Sequence, residues 1–180
     1  MNPVRNPYKK ILYVAYVATS IDGRIAQNNH SGTDWTSKED WNFFQQSLKK
    51  IDAVIVGHAT FKVAESRLRR RNAIVITSKV HRPKTEARTV FFNPRTSNLK
   101  NFLRKKHYKT VAILGGSQIY DYCLRHNMLD EFYVTVEPYV FTAGVPMFQG
   151  GKFKKYKFSL VLVKKLNKSG TLLLKYKYGN

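Results

Sequence analysis

Apolar residues form near-continuous runs along the first two thirds of the chain, and each run ends in a short polar or glycine-containing turn. A run of this kind is typical of a strand that is buried on both faces, as in a parallel sheet. The pattern predicts strands over residues 11–18, 51–56, 73–76, 89–92 and 111–114.

Segments of helical character lie between these strands. They predict helices that begin near Lys38 and that cover residues 61–66, 99–106 and 118–125, the last one capped by Ser117. Alternating strands and helices favour a parallel sheet with helices on its faces. The C-terminal part differs, because residues 131–137, 158–163 and 171–176 predict strands with little helix between them, the last two forming an antiparallel hairpin.

The start of the first predicted helix carries a carboxylate on an unexpected side. Ser37 followed by Asp40 has the spacing at which a hydroxyl and a carboxylate satisfy the free N–H groups of a helix N-terminus. Helical geometry puts Asp40 on the side of Phe44 and Leu48, which should face the core. Asp40 either caps the helix and complements its dipole, or it is an acid at the floor of a ligand pocket.

Length and composition limit the possibilities. A chain of 180 residues suits one domain, residues 1–180, with an α/β fold: a mostly parallel central sheet of about eight strands, flanking helices and a C-terminal hairpin. No apolar segment is long enough for a membrane span. The lone Cys123 excludes an intramolecular disulfide and a cysteine-based zinc site, and we expect it to be buried in a cytoplasmic protein without a metal.

The net charge of +21 points to an anionic partner. Nucleic acid, a phosphorylated cofactor and an acidic substrate are the candidates, and a generally basic proteome is the plain alternative. Aromatic residues are not interleaved with the basic runs, as a stacking platform for nucleic acid would require. We therefore favour a small anion or a generally basic proteome over nucleic acid.

Three predicted strands end in residues suited to phosphate. Residues 57–60 and 115–118 offer side-chain-poor backbone at a helix N-terminus, and residues 77–79 add hydroxyls and a lysine. In an open α/β sheet these turns meet at one edge. They predict a dinucleotide site, although the chain has neither a P-loop nor a G-x-G-x-x-G motif.

The chain also carries, in this order, the segments SIDGRIA (20–26), WTS (35–37), DAVIVG (52–57), GGS (115–117) and GVPMF (144–148). As an ordered set they resemble the dihydrofolate reductase superfamily, in a form close to the reductase domain of bacterial riboflavin biosynthesis. The resemblance covers nearly the whole chain and implies that fold. No deaminase zinc signature occurs, so the chain does not resemble the whole bifunctional riboflavin enzyme.

Two kinds of reductase share this resemblance. Dihydrofolate reductases carry a tryptophan, an acid five residues later and a phenylalanine four further on, as do Trp35, Asp40 and Phe44. Thr135 resembles the strand threonine that partners this acid through the pterin. These matches imply NADPH-dependent reduction of dihydrofolate, and the riboflavin-like segments leave reduction of 5-amino-6-(5-phosphoribosylamino)uracil as the alternative.

The resemblance implies a role for each site residue. Asp40 would promote protonation of N5 while hydride adds to C6 of the dihydropterin, and the substrate would contact Ala18, Trp35, Phe44, Arg71 and Thr135. Residues implied to bind NADPH are Ile25, Gly57, His58, Ala59, Thr60, Thr77, Ser78, Lys79, Leu114, Gly115, Gly116, Ser117, Gln118, Ile119 and Tyr120. The glycine pair that Gly115 and Gly116 match is joined by a cis peptide in that family.

A basic nucleic-acid-binding protein on the same scaffold is the hypothesis from a different class, and it would require binding that weakens steeply with salt. For the oligomeric state we expect a monomer or a homodimer, without membrane association.

Overall fold

The computed structural model describes residues 10–179. The strands are β1 Leu12–Thr19, β2 Arg24–Ala26, β3 Ala53–Gly57, β4 Ala73–Ile76, β5 Lys84–Glu86, β6 Thr89–Phe92, β7 Thr110–Ile113, β8 Glu131–Val136, β9 Val145–Pro146, β10 Phe158–Lys165 and β11 Leu172–Tyr178. The helices are α1 Lys38–Leu48, α2 His58–Val63, α3 Glu65–Leu68, α4 Leu99–Lys105 and α5 Ser117–Arg125.

Nine strands form one sheet in the order β10-β11-β8-β1-β7-β3-β4-β6-β5. The six central strands, from β8 to β6, run parallel to one another. Strand β5 at one edge and the β10–β11 hairpin at the other pair antiparallel with their neighbours. The predicted α/β fold with a mostly parallel sheet and a C-terminal hairpin is therefore confirmed, and its hydrogen-bonding order brings the carboxyl ends of six strands to one edge.

Helices cover both faces of this sheet. Successive residues of β3 alternate between two apolar clusters, because Ile55 packs with α4 and α5 while Val56 packs with α1, α2 and α3. Cys123, on α5, is fully buried in the first cluster, as expected. Within residues 10–179, no helix combines the length and the apolar sequence that crossing a bilayer requires.

Three short strands escaped prediction. Strand β5 reads Lys-Thr-Glu and lies at the sheet edge, where one side of its backbone is unpaired, so its polar side chains give no apolar signal. Strands β2 and β9 pair only with each other and contain three and two residues. Because pairing partners far apart in sequence define these strands, apolar periodicity could not reveal them.

Two helix starts differ from the prediction. The helix predicted over residues 61–66 begins earlier, at His58, and is interrupted at Ala64, which separates α2 from α3. The predicted cap of α5 is wrong: Ser117 is its first helical residue, and its hydroxyl donates to the carbonyl of Pro146 in β9. The Ser117 hydroxyl thus bonds a residue distant in sequence, whereas local spacing predicts that it bonds its own helix.

The assignment of core and edge positions can be tested by shortening one leucine at each kind of position. Leu103→Ala, at a fully buried position of α4, should lower the free energy of unfolding by about 2–5 kcal/mol, because it removes packed methyl groups and leaves a cavity. Leu160→Ala, on β10 where the side chain is 52% exposed, should stay within about 0.5 kcal/mol of the parent. Urea denaturation measures both, and equal losses would contradict this assignment of core and edge.

Candidate active site

A deep cleft opens at the edge where the parallel strands end. Its lining includes residues at most one position from the ends of these strands: Ala18, Gly57, Thr77, Leu114 and Thr135. The cleft volume of about 1770 Å³ exceeds the roughly 300–1,000 Å³ of an ordinary small-molecule pocket. Because ligands of open α/β sheets bind at this edge, the cleft is a candidate active site with room for a cofactor and a second ligand.

Asp40 lies at the floor of this cleft, in the first turn of α1. Ser37 caps the helix, since its hydroxyl oxygen accepts from the Asp40 backbone N–H at 3.2 Å. The other half of the predicted capping pair is wrong. The backbone N–H of Ser37 donates to the carboxylate of Glu137 at 2.7 Å, not to Asp40. The Asp40 side chain is thus left to the cleft, where only 8% of the residue is exposed.

The surroundings of Asp40 favour its protonated form. Burial raises the pKa of Asp40 above its ordinary value, and the negative charge of Glu137 adds to the rise. The hydroxyls of Thr135 and Thr36 act in the opposite direction on this pKa. A carboxyl with a raised pKa holds a proton closer to neutral pH, which suits a group that protonates a ligand.

Aromatic side chains form the wall next to Asp40. The rings of Tyr16 and Tyr133 stack with centroids 5.2 Å apart, and Phe43 and Phe44 pack against Tyr16 at 6.3 and 5.8 Å. All four line the cleft. Such a wall excludes water and offers flat apolar faces to a planar heterocycle.

The opposite end of the cleft is built from two close glycine turns. The N–H of Gly57 donates to the carbonyl of Gly115 at 2.7 Å, and the Gly115–Gly116 peptide is cis, as the family resemblance implies. A Cβ on Gly57 would meet the Ile119 side chain at 3.1 Å, and one on Gly115 would meet the Tyr120 ring at 3.0 Å. No side chain caps α2 or α5, so no capping side chain occupies the first N–H groups of α5.

Cationic groups surround both ends. Beside the glycine turns, burial and then the charges of Lys79 and Lys62 lower the pKa of His58, so Lys79 suits a phosphate better than His58 does at neutral pH. At the Asp40 end, the guanidinium of Arg67 lies 4.8 Å above the Trp41 ring, and Arg71 donates to the Leu48 carbonyl at 3.0 Å. The site therefore attracts a ligand with anionic groups at both ends.

The residues predicted to bind substrate or cofactor line this one cleft, with two exceptions. Gly115 is not part of the lining, and the Trp35 ring packs edge-on against Phe141, with centroids 4.9 Å apart. The substrate role of Trp35 stays a prediction without support from this geometry. Cleft residues that sequence reasoning missed include Tyr16, Lys38, Trp41, Phe43, Arg67, Asn93, Arg95 and Tyr133. Helical spacing could have indicated Trp41 and Phe43, since both share the first turns of α1 with Asp40.

The fold and the cleft can now be set beside known proteins. The family model of the RibD C-terminal domain matches residues 13–172, which is most of the chain. The chain belongs to the RibD C-terminal domain family. The resemblance to the dihydrofolate reductase superfamily is thereby confirmed, and the chain is related to the reductases of that superfamily.

One curated relative and two solved structures of the same fold are similar to this chain. YwjB of Bacillus subtilis (strain 168), which is uncharacterised, is 27% identical over 143 residues, or 75% of this chain and 81% of YwjB. The diaminohydroxyphosphoribosylaminopyrimidine deaminase/5-amino-6-(5-phosphoribosylamino)uracil reductase of Thermotoga maritima has a TM-score of 0.70 at 16% identity, over 95% of this chain and 57% of its own. Dihydrofolate reductase of Enterococcus faecalis, complexed with NADP(H) and RAB-propyl, has a TM-score of 0.66 at 21% identity, over 94% and 97%.

The burial of Asp40 predicts a pH-dependent stability. A carboxyl whose pKa rises on folding costs no stability below its unfolded pKa, because it is protonated in both states there. The free energy of unfolding then declines as pH rises through the folded pKa. Asp40→Asn should therefore be more stable than the wild type at neutral pH, and the difference should narrow as pH falls toward 3.8, the ordinary value. Urea denaturation at a series of pH values measures this difference.

Asp22 provides a control of opposite sign. The Ser20 hydroxyl and the backbone N–H groups of Phe141 and Thr142 lower the pKa of Asp22, so its contribution to stability is present above 3.8 and lost as pH falls. Asp22→Asn should therefore be less stable than the wild type at neutral pH, with a loss that shrinks in acid. If Asp40→Asn, like Asp22→Asn, were less stable than the wild type at neutral pH, the raised pKa of Asp40 would be contradicted.

Proposed function

We propose that this chain is a reductase that uses NADPH to reduce a carbon–nitrogen double bond in an aminopyrimidine or pterin substrate. The observation that carries the proposal is Asp40, a buried carboxyl with a raised pKa in a cleft that has glycine turns at its other end. A hydride donor and a proton donor can thus face one heterocycle. Family membership supports the same class of reaction.

The glycine-turn end fits a dinucleotide phosphate. Its backbone is bare at Gly57 and Gly116, the N-terminus of α5 has no side-chain cap, and Lys79 lies at its rim. Ser78 and Lys79 are suited to an adenosine 2′-phosphate, which argues for NADPH over NADH. The Enterococcus faecalis dihydrofolate reductase, which shares the fold, was solved with NADP(H). When bound, NADPH supplies the hydride.

Asp40 supplies the matching proton. Reduction of a C=N bond adds hydride to the carbon and a proton to the nitrogen, so the protein must deliver one proton for each hydride. The carboxyl of Asp40 releases this proton toward the ligand nitrogen, directly or through water, and regains one from solvent. The aromatic wall of Tyr16 and Tyr133 keeps bulk water away from the C=N bond that accepts the hydride.

The first candidate substrate is the ribotide 5-amino-6-(5-phosphoribosylamino)uracil. The chain belongs to the RibD C-terminal domain family, and the Thermotoga maritima neighbour is named for reduction of this compound. Family membership thus puts the ribotide ahead of dihydrofolate, whereas the spacing of Trp35, Asp40 and Phe44 favours dihydrofolate. A phosphorylated substrate also suits the basic groups at the Asp40 end of the cleft, which are Lys38, Arg67, Arg70 and Arg71.

Dihydrofolate is the second candidate, and one observation favours it. A carboxyl at the position of Asp40 complements the 2-amino-4-oxo edge of a pterin, which presents two N–H donors side by side. A uracil ring has no 2-amino group, so it offers Asp40 fewer donors. Arg71 could then hold the glutamate carboxylate of a folate by a two-fold hydrogen bond.

Turnover tests the proposed reaction. The purified protein should consume NADPH when the ribotide or dihydrofolate is added, and Asp40→Asn should slow this turnover by about 10²–10⁴-fold while the Kd for NADPH changes little. Glu86→Gln, on the edge strand β5 and outside the cleft, is the control and should keep the wild-type rate. Failure of both substrates would refute the proposed function, and an Asp40→Asn variant as fast as the wild type would refute the role of Asp40.

Lys79 tests the choice of cofactor. Lys79→Met removes the cation at the rim of the glycine-turn end, so the KM for NADPH should rise by about fivefold, equivalent to about 1 kcal/mol, with little change for NADH. Lys105→Met, at the end of α4 and away from the cleft, controls for the loss of one positive charge. Steady-state kinetics with both cofactors make the comparison, and equal effects on NADPH and NADH would remove Lys79 from the 2′-phosphate site.

A further inference from the structure

Glu137 is a buried carboxylate just after the end of β8, and only 2% of the residue is exposed. Its two oxygens accept from different parts of the chain: one from the backbone N–H of Ser37 at 2.7 Å, the other from the hydroxyl of Thr171 at 2.6 Å. No ion pair formed within residues 10–179 includes it. Two neutral donors therefore hold a buried negative charge, and burial of a charge without an opposite charge beside it costs free energy.

The contact between Ser37 and Glu137 completes the N-terminal cap of helix α1. In a capping box, the third helical residue bonds the N–H of the cap residue with its own side chain. Asp40 is that residue, and the Ser37 hydroxyl accepts its backbone N–H as the motif requires. The reciprocal bond comes from Glu137 instead. A distant carboxylate thus completes the cap and releases the local one.

We propose that Glu137 is a positioning residue for Asp40: by capping the N-terminus of α1, it keeps the Asp40 carboxyl in the cleft and out of the helix cap. The inference deepens the proposed function, on which its catalytic consequence rests. It also explains why a buried acid lies beside another without a cation between them. Glu137 fixes where the Asp40 side chain lies and adds its negative charge nearby.

The C-terminal hairpin holds Glu137 in turn. The Thr171 hydroxyl donates to Glu137, and it accepts from the Asn167 side chain at 2.9 Å. Asn167 closes the turn between β10 and β11, because its side-chain oxygen accepts from the N–H groups of Gly170 and Thr171 at 3.1 Å. The hairpin is thereby linked to the start of α1 through one carboxylate.

Other charges near Asp40 are more exposed than Glu137. Lys38 and Glu39 flank Asp40 on α1 but are exposed, as is Asp34 in the preceding loop. The remaining titratable groups on the cleft wall are Tyr16, His58, Arg67, Arg70, Arg71, Lys79, Arg95, Tyr120, Asp121, Tyr122, Arg125 and Tyr133. Solvent screens exposed charges, whereas a buried carboxylate acts at full strength. Among these groups, Glu137 is the one whose charge raises the pKa of Asp40.

Glu137→Gln separates the charge from the hydrogen bonds. Glutamine has the same shape, its amide oxygen can accept from Ser37, and its amide nitrogen can donate to the Thr171 hydroxyl oxygen. Removal of the charge should lower the titration midpoint of the Asp40 carboxyl by on the order of half a pH unit to one unit, followed by carbon-detected NMR of the protein without ligands. The pH profile of turnover should move to lower pH by the same amount.

Glu137→Ala tests the positioning itself. With the Ser37 N–H unpaired, the Asp40 carboxylate should turn back to cap the helix, so kcat should fall further than in Glu137→Gln while the KM for NADPH stays near the wild-type value. If the alanine variant does not fold, Thr171→Val takes its place, since it leaves the Glu137 charge but removes one of its two anchors. This variant should lower kcat severalfold, also with little change in the KM for NADPH.

A matched control shows whether these effects are merely structural. Asn98 caps α4 by accepting from the Asn101 N–H at 2.9 Å, so Asn98→Ala loses a cap of similar kind far from the cleft. It should lower stability without moving the Asp40 midpoint or the pH profile. If kcat falls no further in Glu137→Ala than in Glu137→Gln, or if Thr171→Val keeps the wild-type kcat, the positioning role of Glu137 is overturned. An unchanged Asp40 midpoint in Glu137→Gln would refute the contribution of the Glu137 charge. Lack of turnover in the wild type would refute the proposed function but leave the NMR test intact.

Discussion

The parallel alignment of six strands is the constraint on which the rest of the structure depends. It brings the carboxyl ends of β8, β1, β7, β3, β4 and β6 to one edge, so that turns far apart in sequence border one cleft. Parallel strands require long crossover connections, and the helices in these connections begin at the same edge. Helix α1 delivers Asp40 there, and α5 delivers uncapped N–H groups. The fold therefore brings an acidic end and a glycine-turn end to one cleft, although they come from segments far apart in sequence.

Local signals were sufficient for much of this arrangement. Buried strands such as Ala73–Ile76 and Thr89–Phe92 have the predicted bounds, because nearly every residue in them is apolar and the flanking turns are polar. The N-terminus of α1 at Lys38 follows from Ser37, whose capping bond spans only three residues. The cleft could be predicted as well, since the carboxyl ends of parallel strands must meet. Such features depend on neighbours in sequence or on a general rule of topology.

What the sequence could not reveal depends on partners that are distant along the chain. Glu137 lies 100 residues from Ser37, so no local spacing relates them, and its place in the helix cap was assigned to Asp40. The hydroxyl of Ser117 was assigned to its own helix for the same reason, although it donates to Pro146. In both cases a tertiary acceptor or donor replaces the expected local one. Sequence reasoning identified the correct hydrogen-bonding group and paired it with the wrong partner.

The exchange of partners matters for chemistry because the groups around the Asp40 carboxyl set its pKa. If Asp40 capped its own helix, the Ser37 N–H would stabilise its ionised form and lower its pKa, which suits a structural residue. With Glu137 in the cap, Asp40 instead meets burial and a nearby negative charge, and both raise its pKa. The same residue in the same helical turn thus acquires a raised pKa, the property that a proton donor needs. The identity of the cap, more than the position of Asp40 in the sequence, decides what this acid can do.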